Sequence, residues 1–367
     1  MIRAADERLD KLKQEGKAVY SISRLDCINH CLYEAYCTYV LNDRGENNVY
    51  AMLGGKVHDV LENIVNGKAT EADLKPAVEE ELEDIDILGL SFPKDRQGGD
   101  GIRKAWETDM YHFCDTYKSP KNSGEFHTEE LFIYETSKGN VLQGYIDLYH
   151  CNKDGSISIY DYKTSSLYKG SDLAAHGRQL VLYAMGMEQA GHKVKSVNWI
   201  FLKYVEIKFM GKKTVKSKEK TQLSKIVQRS KIAQEMADYV ENDLYELGYD
   251  EFDADILLTE FKKTNSFDVL PEEISSRYKM IPYVCEYPLT DEVKQECEDY
   301  VNNTIELWES LTEYPPKKFT KVQKNGKEVE DCFYCMCLCA HGKKCKYLQE
   351  YLDLRDNADK NDDDIFS

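Results

Sequence analysis

Two alternating apolar segments meet at a Lys153-Asp154-Gly155 turn, and the pairing this turn enforces constrains the chain more than any other stretch. Leu148 to Asn152 and Ser156 to Tyr160 read as the arms of a β-hairpin. A three-residue loop ending in glycine supplies the left-handed position that such hairpins need. Asn152 then pairs with Ser156, which sets Asp147 opposite Asp161 on one face of the hairpin. A two-residue loop would set them on opposite faces, because a one-residue slip reverses the side-chain pattern. Asp161 and Lys163, two apart in a strand, point the same way. Two carboxylates and one ammonium are therefore expected to converge.

That set suits phosphodiester hydrolysis. Hard divalent cations such as Mg2+ or Mn2+ prefer carboxylate oxygens, stabilise charge on a phosphate and lower the pKa of an attacking water. A lysine adds a cation that orients the water or stabilises the transition state. Any one of these residues alone has an ordinary reading as a solvated strand-end charge; the combination at this spacing does not.

The second signal is sulfur. Cys332, Cys335, Cys337, Cys339 and Cys345 crowd one short segment of a chain with twelve cysteines. Thiolates at Cys-x-x-Cys spacing select zinc or an iron–sulfur centre, and an intracellular chain uses clustered cysteines for metal more often than for disulfides. No apolar run approaches the ~20 residues that a membrane-spanning helix needs, and Met1 to Arg8 lacks the apolar core of a signal peptide, so a cytoplasmic protein without a membrane partner is expected.

The net charge of −18 argues against nucleic acid only weakly, because it is unevenly spread. Acid gathers at 79–84, 250–255 and 362–364, while base gathers between Lys203 and Lys231. Lys212, Lys213, Lys216, Lys218 and Lys220 follow a strand-like run, 196–209, and are expected to guide a DNA strand electrostatically. Such a run otherwise reads as a solvated face. A Gly-x-x-x-x-Gly-Lys-Ser/Thr loop is not found in the sequence, so unwinding would fall to a partner.

Gly144-Tyr145-Ile146-Asp147, Asp161-Tyr162-Lys163-Thr164 and Gln179-Leu180-Val181-Leu182-Tyr183 together resemble the PD-(D/E)XK nuclease superfamily, in its RecB-like branch with the Cas4 and AddB nucleases. The resemblance implies an α/β fold: a restriction-endonuclease-like core with a central mixed β-sheet flanked by helices, plus a helical insert and a cysteine-cluster clasp. It implies one nuclease domain over 1–350. Within it, 15–65 holds N-terminal helices, 66–125 the insert, 126–210 the catalytic core, 211–312 the basic segment and helices, and 313–350 the cysteine cluster. The acidic tail 351–367 is expected to be disordered.

The same resemblance assigns roles. Asp147, Asp161 and the Tyr162 carbonyl would hold Mg2+ or Mn2+, with Lys163 assisting the water. His58, in Gly54-Gly55-Lys56-Val57-His58, would join or adjoin the metal site, its glycines preceding the start of a helix. Glu130, preferred over Glu129, would be a further ligand at the start of the first core strand. Gln179 and Tyr183 would hold DNA and support the lysine. Cys31, Cys332, Cys335 and Cys345 would hold a [4Fe–4S] cluster, with Cys339 the alternative for the last ligand and zinc the alternative metal. The implied activity is a metal-dependent exonuclease on single-stranded DNA or DNA ends, alongside a helicase or a recombination or CRISPR partner. The rival is a catalytically inactive DNA- or protein-binding module.

Overall fold

The computed structural model describes residues 6–120, 125–211 and 221–363, with side chains up to 357. Lys212, Lys213, Lys216, Lys218 and Lys220 lie outside the described residues.

Two sheets form the frame. In the first, strands β1 (Val19–Ser21) and β3 (Glu130–Glu135) flank β4 (Val141–Ile146), β1 parallel to it and β3 antiparallel. The second runs β2 (Phe126–His127), β5 (Leu148–Cys151), β6 (Ser156–Lys163), β7 (Lys193–Met210) and β8 (Gln222–Gln228), with β9 (Lys279–Tyr287) also paired to β7. Only β6 and β7 are parallel there, and the helix Ser171–Gln189 makes the crossover between them, as parallel neighbours require. The mixed sheet flanked by helices is the architecture anticipated from sequence. Asp147 stands alone between β4 and β5, where the chain passes from one sheet to the other.

The turn behaves as its residues dictate. Gly155 has φ +79°, the left-handed region that costs an L side chain roughly 1–2 kcal/mol, and the Asn152 amide donates to the Ser156 carbonyl at 2.7 Å. The β5–β6 register, Leu148 with Tyr160 through Cys151 with Ile157, extends one step to set Asp147 opposite Asp161.

Alternation then sorts the faces of β6. Ile157 and Ile159 enter a core with Trp199, Phe132 and the buried side of Ser171–Gln189. Tyr162 faces the other way, into a core built with the helices Val49–Val65, Leu74–Ile87 and Gly101–Thr116. A third core lies under the far half of β7, where Ile232–Glu246 and Glu251–Thr264 cover Val205, Ile207 and Phe209. Each fully buried large apolar side chain, Trp199 and Phe132 among them, contributes about 2–3 kcal/mol.

Two local expectations are corrected. The helix carrying His58 starts at Val49, capped by Asn48, so Gly54 and Gly55 lie inside it rather than before it. A Cβ on Gly54 would stand 3.5 Å from Thr164 Oγ1, an ordinary contact that puts this part of the helix beside the end of β6. From Lys346 to Asp363 the chain is helical, although irregular chain is expected from 351. Leu348, Tyr351 and Leu352 pack against Cys332, Cys335 and Phe319, an apolar contact that an acidic composition does not reveal. No helix among the described residues is long and apolar enough to cross a membrane.

Candidate active site

Asp161 and Lys163 project from the same face of β6. Asp161 is 1 % exposed, and its Oδ2 lies 2.5 Å from Lys163 Nζ. The contact is close but poorly aligned, so Oδ2 has no hydrogen-bond partner among the described residues. Burial, partly offset by Lys163 and reinforced by the charge of Asp147, pushes the Asp161 carboxyl up to about 6. Lys163 Nζ donates to Gln179 Oε1 at 2.9 Å, and Gln179 Nε2 donates to the Tyr183 hydroxyl at 2.7 Å. Gln179 and Tyr183 are one turn apart on the helix Ser171–Gln189, so one helical face orients the amide and, through it, the ammonium. Burial works against the charge on Lys163, yet the carboxylates outweigh it and hold its pKa above the usual lysine value. Lys163 is therefore a cation here, suited to orienting water or stabilising phosphate charge rather than taking a proton.

Asp147 answers from across the hairpin. Its Oδ2 accepts from the Tyr162 amide at 3.0 Å and lies 3.2 Å from His58 Nδ1. Burial opposes its charge too, but His58, Lys163 and the Tyr162 amide outweigh burial and hold this carboxyl below the usual range. The bond is reciprocal: burial works against the His58 imidazolium, and Asp147 more than compensates. Asp147, Asp161, Lys163, Gln179, Tyr183 and His58 thus form one constellation.

A cleft of about 440 Å³ opens over it, lined by Asp147, Gln179 and Tyr183 together with Ser21, Gln143 and Glu129. The glutamate differs from the one chosen by sequence. Glu129 lines the cleft and its charge acts on Tyr183, whereas Glu130 does not line it and acts on Arg8 and Tyr149 instead. Glu129 has φ +52°, and this left-handed step before β3 swings its side chain inward. Strand alternation cannot anticipate a residue that precedes the strand in a turn conformation. Gln143, one place before the Gly144 motif, also went unforeseen; its Oε1 is buried in the cleft wall with no hydrogen-bond partner among the described residues.

Among the described residues no three His, Cys, Asp or Glu side chains are spaced to coordinate a metal ion. The donor chemistry nevertheless fits a hard divalent cation: Asp147 uses only Oδ2 for its two partners, Asp161 is buried beside it with Lys163 Nζ against its Oδ2, and Glu129 shares the cleft with Asp147. These residues and the Tyr162 carbonyl are the ones that would hold it.

The thiols gather at the other end of the N-terminal helices. Cys31 sits in the break between the helices Ile22–His30 and Leu32–Tyr39. It lines a small void with Cys335, Cys339, Cys345 and His341. Cys335 is buried, and charge on Cys31, Cys332 or Cys345 would raise its thiol further, to about 11. The Lys317 amide donates to Cys31 Sγ at 3.3 Å, the kind of N–H···S contact that supports a metal-bound thiolate. Cys339 shares that void and also lies within hydrogen-bond reach of the buried Glu34 carboxylate. The cysteines are free thiols.

The profile of the family described as the PD-(D/E)XK nuclease superfamily matches residues 19–339, a span that contains every residue of the cleft constellation and three of the four expected cluster thiols, leaving Cys345 outside. No curated protein matches the chain. Among solved structures, one titled "Crystal structure of SSO0001" aligns over 72 % of this chain and 94 % of that chain, at 12 % identity and a TM-score of 0.23, a likeness too loose to carry an argument.

Proposed function

The chain belongs to the PD-(D/E)XK nuclease superfamily, and from that premise we propose that it is a divalent-metal-dependent deoxyribonuclease of the RecB-like, Cas4/AddB-type branch, acting as an exonuclease on single-stranded DNA or DNA ends. The observation that carries this reading is the convergence of the buried Asp147 and Asp161 on a protonated Lys163. A bound Mg2+ or Mn2+ would supply charge on the scissile phosphate and a water of lowered pKa.

The side chains have distinct tasks in this scheme. Asp147, Asp161, Glu129 and the Tyr162 carbonyl would hold the cation, and His58 fixes the orientation of Asp147. Lys163, aimed by Gln179 and Tyr183, faces the phosphate and the attacking water. A catalytically inactive binding module has no physical reason to keep two like charges buried beside each other, since each raises the cost of ionising its neighbour.

The thiols of Cys31, Cys332, Cys335 and Cys345 would hold a [4Fe–4S] cluster that stabilises the fold. Its support is the proximity of all four around Cys335 and the amide bond to Cys31. Brown protein with sulfur-to-iron charge-transfer absorption after anaerobic purification distinguishes this from zinc, which gives a colourless protein.

The test of the activity is incubation of that protein with end-labelled single- and double-stranded DNA. Mn2+ should support loss of label from single strands or ends, and EDTA should abolish it. Cleavage that persists in EDTA, or no cleavage of any DNA with Mn2+ or Mg2+, would remove the proposal.

A further inference from the structure

Behind the catalytic strand lies a second cavity of about 440 Å³. Because neighbouring residues of a strand point to opposite faces, Tyr162 lines this cavity while Asp161 and Lys163 pair with each other on the opposite face of β6. Phe113, Tyr117 and Phe126 make its walls aromatic, and Val284, 44 % exposed, stands at the rim. The cavity is apolar, of the size and character of small-molecule sites.

Its one deep charge is Arg229. This side chain is 4 % exposed, donating from Nε to the Leu202 carbonyl at 2.7 Å and from Nη1 to Thr116 Oγ1 at 2.8 Å, with His112 Nδ1 also at 2.8 Å. Every one of those partners is uncharged: burial and Arg229 itself depress the pKa of His112 to about 4, so the ring is neutral. No carboxylate among the described residues makes an ion pair with Arg229. Asp109 acts on it only through space, its two oxygens being taken by Gln228 Nε2 and the Ser230 amide. A buried arginine ordinarily has a carboxylate beside it, because an unpaired buried charge is among the most destabilising features a fold can carry.

The surroundings repeat the asymmetry. In a chain with 66 acidic residues and a net charge of −18, no aspartate or glutamate lines this cavity, while Lys118 does. The Tyr117 hydroxyl is buried in the same wall, within hydrogen-bonding reach of those of Tyr162 and Ser119. A cation without its anion thus faces an apolar space.

We infer that this cavity is a binding site for a small amphiphilic carboxylate, its carboxyl group paired with Arg229 and its apolar body held among Phe113, Tyr117, Phe126 and Tyr162. The site is independent of metal, DNA and the cysteine cluster, so it is tested apart from nuclease activity.

Titration calorimetry in EDTA, without DNA, compares decanoate with its uncharged counterpart decanamide. Decanoate should bind saturably and about tenfold or more tightly than decanamide, as a charge-assisted pair with a buried arginine requires. Arg229→Met should bring the two affinities together. Because that change also removes bonds to Leu202 and Thr116, Val284→Trp serves as a second variant: it alters only a rim residue and should weaken both probes by narrowing the entrance. Equal affinity for the two probes in the native protein, decanoate binding untouched by Val284→Trp, or no saturable decanoate binding up to about 1 mM would each overturn the assignment.

Discussion

Asp147 and Asp161 share one buried site yet titrate in opposite directions, because His58 and a backbone amide serve the first while the second faces only a misaligned ammonium. The consequence is a pH dependence with a definite sign. Below about 6 Asp161 carries a proton and cannot ligate a cation, so kcat/KM should fall as pH drops through that value. A metal competes with the proton for the same oxygen. Raising Mn2+ should therefore move this acid limb to lower pH, whereas a limb fixed in position at all Mn2+ concentrations would assign it to another group. At this scale the sequence was informative where spacing alone decides geometry: the turn chemistry of Gly155 put Asp147 against Asp161, and two-residue spacing put Lys163 beside them. It failed at the glutamate, since the left-handed step at Glu129 depends on how β3 leaves its preceding turn, and neither alternation nor composition encodes that.

Helix Ser171–Gln189 delivers Gln179 and Tyr183, and its distance from the first sheet is set by one side chain. The Phe132 ring is wedged between Gly144 of β4 and Gly186 of the helix; a Cβ on either glycine would lie 2.5 Å or less from that ring. Phe132 also meets the Tyr183 ring edge-on at 5.3 Å. Gly186→Val should therefore cost about 1–3 kcal/mol in chemical denaturation, the range for overpacking a filled core, and should lower kcat more than it raises KM, because the displaced helix carries the groups that aim Lys163. An unchanged denaturation midpoint would show that Phe132 can yield. Element existence is readable from period where the pattern is long: the strand-like run 196–209 lies within β7. Helix Val49–Val65 starts earlier than its sequence suggests, because two consecutive glycines read as punctuation although both lie inside the helix.

Across the whole molecule, the cysteine segment ties the C-terminal region to the helix that carries His58. Asn48 caps that helix, its Oδ1 accepting from the Tyr50 and Ala51 amides, and its Nδ2 donates to the Leu338 carbonyl at 2.9 Å. The Glu46 amide donates to Ala340 O at 2.8 Å in the same joint. If Cys335 ligates a cluster, Cys335→Ser should bleach the protein, lower its melting temperature and reduce Mn2+ affinity together, since loosening this joint frees the His58 helix. Loss of colour with an unchanged melting curve would separate the cluster from the fold. Density of thiols was plain in the sequence; their assembly with Cys31, three hundred residues earlier, depended on the family pattern and not on any local signal. The central claim concerns the middle of that helix, where His58 meets Asp147 and Lys163 lies beside two carboxylates. The most direct measurement is the single-turnover rate on end-labelled single-stranded DNA with saturating Mn2+, native protein against Lys163→Ala. The account predicts a fall of about a hundredfold or more with DNA binding retained, and an unchanged rate would contradict it.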